Sequence, residues 1–229
     1  MTNNNQPKIK ILKNGPYMVF GNVPMEEKII SSGKDALEYK DGRCFPQAEE
    51  YALCRCGRSE NMPFCDGKHI AAHFDGTETA SKRPYLDDAD TLKGPTISLT
   101  DNEDLCAFAR FCHIGRGSVW QLTMESDDPI SKDGAIKAAC NCPAGRLVAW
   151  DNDTGQPIEP DYPPSIVIIQ DPLRSCSGPI WVRGCIPIES SDGICYEVRN
   201  RVTLCRCGES ENMPFCDATH VSIEFSDKK

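Results

Sequence analysis

Lys8-Ile9-Lys10-Ile11 alternates polar and apolar residues with the period of two expected of a half-buried strand, and Asn14-Gly15 marks a hairpin turn before the apolar run Tyr17–Phe20. Residues 25–30 and 198–204 read as further short strands. In the middle of the chain the period changes. Thr100-Asp101-Asn102-Glu103 has the form of a capping box, and Leu105, Phe108, Ala109 and Cys112 follow at i, i+3, i+4 and i+7, which predicts a helix reaching about Cys112. A second short helix is expected to end near Cys140, with strands at 146–150 and 165–170 and a turn at 152–155. The fold class expected is α+β, mostly β.

The chain also repeats itself. Asp41-Gly42-Arg43-Cys44-Phe45 matches Asp192-Gly193-Ile194-Cys195-Tyr196 at an offset of 151 residues. Gly15-Pro16-Tyr17-Met18 through Pro24 echoes Gly178-Pro179-Ile180-Trp181 through Pro187 at an offset of 163, so the first half carries 12 extra residues between its strands. Cys44 and Cys195, in equivalent places beside aromatics, are expected to be small core residues. Cys185 has Asn22 as its counterpart.

The same 151-residue offset relates two cysteine–histidine stretches. One runs Cys54-Arg55-Cys56-Gly57-Arg58-Ser59-Glu60-Asn61-Met62-Pro63-Phe64-Cys65-Asp66-Gly67-Lys68-His69; the other runs Cys205-Arg206-Cys207-Gly208-Glu209-Ser210-Glu211-Asn212-Met213-Pro214-Phe215-Cys216-Asp217-Ala218-Thr219-His220. Each supplies three thiols and one imidazole, a donor set that suits a thiophilic metal centre. A regular strand cannot turn both side chains of Cys-x-Cys to one metal, so a loop is expected there. Asp66 and Asp217 are expected to cap short helices that bring Cys and His, at i and i+4, onto one face. Pro63 and Pro214 fix the backbone before the third cysteine.

Two other chemistries use these residue types. Three Cys and one His could hold structural zinc, but the spacing C-x-C-x8-C-x3-H is not among the common zinc-finger spacings. Disulfides are disfavoured because residues 1–15 are polar and lysine-bearing, with no apolar core of an export signal, in a chain of 14 cysteines.

Both stretches resemble the CDGSH iron–sulfur domain family, whose motif is C-x-C-x2-(S/T)-x3-P-x-C-D-G-x-H. The first copy satisfies every fixed position, and the second departs once, with Ala218 in place of glycine. If that position needs a positive φ, alanine there is strained. The resemblance implies two [2Fe-2S] clusters, one held by Cys54, Cys56, Cys65 and His69 and one by Cys205, Cys207, Cys216 and His220. It further implies that Ser59 and Ser210 hydrogen-bond within the loops, and that two halves of one chain stand in for the dimer of single-motif relatives. The expected architecture is a first CDGSH half over 7–74, an α+β insert over 75–175 and a second CDGSH half over 176–225.

With one imidazole among the ligands the site is one charge less negative than with four thiolates. Its potential should therefore lie above that of all-cysteine ferredoxins, and the His–iron bond should be acid-labile. The function expected is electron transfer, or cluster storage and transfer to an unidentified redox or cluster-acceptor protein. Alternatives are an oxidoreductase subunit or redox sensor that uses the insert to bind a partner, and a zinc-stabilised interaction module. No nucleophile triad, phosphate loop or dinucleotide fingerprint marks the chain as an enzyme. A net charge of −9 argues against a nucleic-acid partner. No run approaches the roughly 20 apolar residues of a membrane span. A cytoplasmic monomer with internal pseudo-two-fold symmetry is expected.

The insert also contains the candidate ligands Cys106, Cys112, His113, Cys140 and Cys142, with Cys176 just beyond it. On a regular helix Cys106 and Cys112 would diverge by about 120°. Their spacing is not the ferredoxin run C-x2-C-x2-C either. Both points argue against a third centre. His113 and His73 read as solvated.

Overall fold

The computed structural model describes residues 6–227. The N-terminal alternation forms β1 (Lys8–Ile11), with Ile9 and Ile11 buried and both lysines outward. It turns through Asn14-Gly15 into the antiparallel β2 (Tyr17–Phe20). β3 (Met25–Ser32) and β4 (Leu37–Cys44) form a long hairpin, and β5 (Glu50–Leu53) returns beside β2. After the first cysteine loop comes a single helical turn, α1 (Lys68–Ala71).

The insert opens with β6 (Asp90–Lys93) and β7 (Ile97–Asp101), followed by the two-residue strands β8 (His113–Ile114) and β9 (Gly117–Ser118). Helices α2 (Val119–Met124) and α3 (Pro129–Cys140) come next, capped by Ser118 and Asp128, and then β10 (Leu147–Asp151) and β11 (Pro157–Ile158). The sheet β11-β10-β7-β6 and the two helices share a core built on Ile97, Leu99, Val119, Leu122, Ala138 and Leu147.

The second half comprises β12 (Ser165–Asp171), β13 (Cys176–Arg183), β14 (Ile188–Glu189), β15 (Arg201–Leu204) and α4 (Thr219–Ser222). Strand β12 falls inside the span that the sequence assigns to the insert, yet it stands in the sheet of the second half, antiparallel to β13.

The two halves exchange strands reciprocally. β1 of the first half lies parallel to β14 of the second, Ile9 opposite Ile188, and β12 of the second lies parallel to β3 of the first, Ile166 opposite Met25. The sheets are therefore mixed, β14-β1-β2-β5 and β15-β13-β12-β3-β4. One core lies between them, drawing Ile9, Ile11 and Tyr17 from one half and Ile166, Ile180 and Leu204 from the other. At roughly 1.5–3 kcal/mol for each large apolar side chain removed from water, neither half retains this core alone.

The 12 extra residues of the first half lie in the β3–β4 hairpin. In the second half the matching hairpin has shrunk to β14 and a single bridge between Glu189 and Cys195. The long hairpin reaches the insert, where Gly115 N–H donates to Asp35 O (2.6 Å) and Tyr39 stacks on Phe111 with ring centroids 4.3 Å apart.

Two further expectations fail here. Residues 100–112 are not a helix, because Ile97–Asp101 is committed to the sheet between β6 and β10, and the Thr100 hydroxyl already accepts from Trp150 Nε1 and Tyr85 Oη. Only Glu103–Leu105 makes a helical turn, and the loop beyond it bends through Phe108 (φ 54°) and Arg110 (φ 66°). Cys44 and Cys195 are exposed rather than core residues, since β4 is an edge strand and the Cys195 segment makes only one bridge.

Candidate metal centres

At the end of β5 the chain reverses tightly: Cys54 N–H donates to Pro63 O (2.8 Å) and Cys65 N–H to Ala52 O (2.9 Å). Ser59 Oγ donates to Phe64 O (2.6 Å) and accepts from Asn61 N–H (3.0 Å), the within-loop role the resemblance implies. Asp66 and Asp217 are not the helix caps the sequence suggests: Asp66 ties both ends of the loop, accepting from Glu60 N–H and Lys68 N–H, and the cap of α1 is Gly67 at φ 87°, one residue later. The second loop repeats these bonds through Pro214, Thr203, Ser210 and Asp217. There the cap is Ala218 at φ 74°, so the position does demand the left-handed region and its alanine is strained.

These bonds bring the candidate ligands together in pairs. Cys54 and Cys56 sulfurs are 3.8 Å apart, and Cys65 Sγ lies 3.4 Å from His69 Nδ1. In the second loop the corresponding distances are 3.5 Å for Cys205 and Cys207 and 3.3 Å for Cys216 and His220. Among the described residues no three His, Cys, Asp or Glu side chains gather closely enough to hold a single ion.

Electrostatics prepares both pairs for metal. The Cys56 thiol and the amides of Ser59, Gly57 and Arg58 outweigh burial and bring Cys54 down to about 6; the thiol of Cys207 and the amides of its own loop bring Cys205 to about 7. The partners Cys56 and Cys207 rise in turn, each through the bond to its neighbouring thiolate and then through burial. Burial, with Arg206 nearby, lowers His220 to about 4 and so keeps its imidazole neutral, the form that ligates metal.

The loops also touch each other. A Cβ on Gly57 (φ 70°) would lie 2.1 Å from Cys207 O, and one on Gly208 (φ 86°) would lie 2.5 Å from Cys56 O, so each loop needs a glycine where the other's backbone passes. Arg58 and Glu209, at equivalent positions, meet across this contact at 3.1 Å. Tyr17 of the first half donates to Cys205 O (2.8 Å) beneath the second loop.

The insert holds a third gathering of thiols that the sequence reading argued against. Cys106, Cys112 and Cys142 line one small cavity with Arg146 and Leu147. Burial first, then the neighbouring Cys142 and Cys106, push Cys112 up to about 11. His113 Nδ1 lies 3.2 Å from Cys112 Sγ. Cys140 points elsewhere, toward Ile158 O, and Cys176 is buried in β13. The left-handed residues Phe108 and Arg110 fold the loop back, removing the divergence a helix would impose. A usable signal was present in Cys142-Pro143, the Cys-Pro ending of ferredoxin-type runs.

This third group abuts the second loop. Cys216 packs with Ala107 and Ala144, with Cys142 and Leu105 against them. Asn212 Nδ2 donates to Asp104 O at 2.7 Å.

Protein-family models match three stretches of the chain. The iron-binding zinc finger CDGSH type matches residues 14–70 and again 177–221, and the divergent 4Fe-4S mono-cluster model matches 92–152. No curated protein and no solved structure matches the chain. The insert thus resembles a divergent 4Fe-4S domain, and the chain is a CDGSH iron–sulfur domain protein with two CDGSH motifs in one chain.

Proposed function

We propose that this protein is an electron carrier with two [2Fe-2S] centres in its CDGSH loops and a [4Fe-4S] centre in the insert. Cys54, Cys56, Cys65 and His69 hold the first, Cys205, Cys207, Cys216 and His220 the second. Their grouping in pairs suits a two-iron cluster, with one pair on each iron, better than a single tetrahedral zinc. Cys106, Cys112 and Cys142 hold the third, with His113 beside Cys112 as a further donor. When bound, such clusters take up and return single electrons. The chain's part is to fix the thiolates, supply loop amides as hydrogen-bond donors and keep water from the second site.

The observation that carries the electron-transfer reading is the packing of Ala107, Ala144 and Cys142 against Cys216. It sets two sulfur-rich sites side by side, an arrangement that storage alone does not call for. The reciprocal strand exchange supports reading the two halves as an internal pseudo-dimer. The exposed side of the first loop, where Cys65 and His69 are only half-buried, favours a second use in cluster hand-off to an acceptor protein. None of the 14 cysteines is joined in a disulfide, which suits the reducing cytoplasm. No helix among the described residues is long and apolar enough to cross a membrane.

Iron and acid-labile sulfide analysis with Mössbauer spectroscopy on anaerobically purified protein tests the proposal. About eight irons, in two-iron and four-iron sites, is the expected result. Zinc with little iron overturns it. Transfer of iron to an apo-ferredoxin without reduction by any electron donor moves the function to cluster hand-off.

A further inference from the structure

The two CDGSH loops differ in how one buried charge is balanced. Arg206, between the ligands Cys205 and Cys207, is 1% exposed and fully partnered. Its Nη1 lies 2.6 Å from Asp227 Oδ2, its Nε donates to Gly178 O (2.6 Å) and its Nη2 to Ile169 O (3.2 Å). Asp227 in turn accepts from Ser177 and Gln170.

Arg55, 151 residues earlier and between Cys54 and Cys56, is likewise 1% exposed. The position that corresponds to Asp227 is Gly76, which offers only its carbonyl, 2.6 Å from Nη2. Nε and Nη1 of Arg55 are buried without a hydrogen-bond partner. The guanidinium lies over the rings of Phe74 (5.3 Å) and Tyr17 (5.7 Å). Asp75 feels its charge, but that carboxylate is exposed and hydrogen-bonded to Thr77, where solvent screens it.

A buried cation without a counter-charge is costly and persists where another negative group offsets it. Next to Arg55 in the chain stand the thiols of Cys54 and Cys56, two of the four donors of the proposed first cluster. We propose that Arg55 is the counter-charge of the first cluster, whereas Asp227 cancels Arg206 at the second, so that the first centre is the more oxidising of the two. A nearby net positive charge stabilises the reduced, more negative state of a cluster. Electrons shared between the centres then collect at the first, which is also the one whose Cys65 and His69 reach the surface. Arg55 is a tuning residue here and binds no iron.

This inference rests on the iron–sulfur reading, and the two fail differently. Iron and sulfide content tests the reading, whereas a redox titration of full-length holoprotein followed by EPR tests the inference. Two [2Fe-2S] signals should titrate apart, and the one perturbed by His69→Cys should have the higher potential. Arg55→Gln should lower it and Arg55→Lys should preserve it. Asp227→Asn, which keeps the shape of the side chain and removes its charge, should raise the potential of the second centre. Each charge change should alter the electron partition between the centres about tenfold, or about 59 mV for a one-electron couple. Coincident midpoints in the unmodified protein, or a gap that Asp227→Asn leaves unchanged, would overturn the proposal. Should Arg55→Gln fail to fold, Asp227→Asn decides alone.

Discussion

The first and second CDGSH loops share ligand spacing and nearly every backbone hydrogen bond, yet they face different surroundings. Cys65 and His69 are half-buried and followed by an exposed Ile70, whereas Cys216 and His220 are buried, 3% and 4% exposed. The difference arises outside the loops. The insert packs on Cys216, and the C-terminal residues Phe225 and Asp227 return over Arg206. Two copies of one motif have thus become an outer site and an inner site without any change in their ligands.

The sharpest way to break this comparison is to remove one ligand at a time. Cys65→Ser should cost the first centre alone, about a quarter of the iron, while Cys216→Ser should cost the second and perturb the insert centre packed on it. Iron content and the visible spectrum distinguish these outcomes, and equal losses would show that the sites are independent of their surroundings. Chelation comes next. Absorbance should bleach in two phases, the faster from the outer site by on the order of tenfold or more, because each ~1.4 kcal/mol of opening free energy slows access by a factor of ten. His69→Cys should slow only the fast phase.

Acid should separate the halves again, by a smaller margin. Burial works to raise the Asp227 carboxyl, but Arg206 and the donors Ser177 and Gln170 outweigh it and hold it at about 2. A depressed carboxyl contributes stability above its unfolded value near 4 and loses it as pH falls toward 2. Urea unfolding at stepped pH should show an acid-dependent decline over that window that Asp227→Asn abolishes. The smallest effect concerns Ala218 at φ 74°: Ala218→Gly should stabilise the metal-free chain by about 1 kcal/mol, and Gly67→Ala at φ 87° should destabilise it similarly, read from denaturant midpoints.

The gathering of each Cys/His set was legible in the sequence because it lies within one short loop, where spacing dictates which side chains meet. The offset likewise announced 12 extra residues between strands of the first half, although not that they extend the β3–β4 hairpin until Tyr39 reaches Phe111. The thiols of the insert were hidden because Thr100 to Glu103 spells a helix start, while pairing with β6 and β10 claims those residues for a sheet. Local propensity lost to long-range hydrogen bonding. Cys44 and Cys195 were misplaced for a related reason: a cysteine beside an aromatic packs inward only where a second strand covers it. Gly76 opposite Asp227 can be read from the repeat, but that Arg55 and Arg206 are both buried cannot.

The strand exchange also sets a timetable for biogenesis. β1 is synthesised about 180 residues before its parallel partner β14, an interval of roughly 10–40 s at ordinary synthesis rates. Throughout that interval the first cysteine loop is synthesised but lacks the second loop against which Gly57 must pack. The first loop therefore reaches its final packing only after the second has been made.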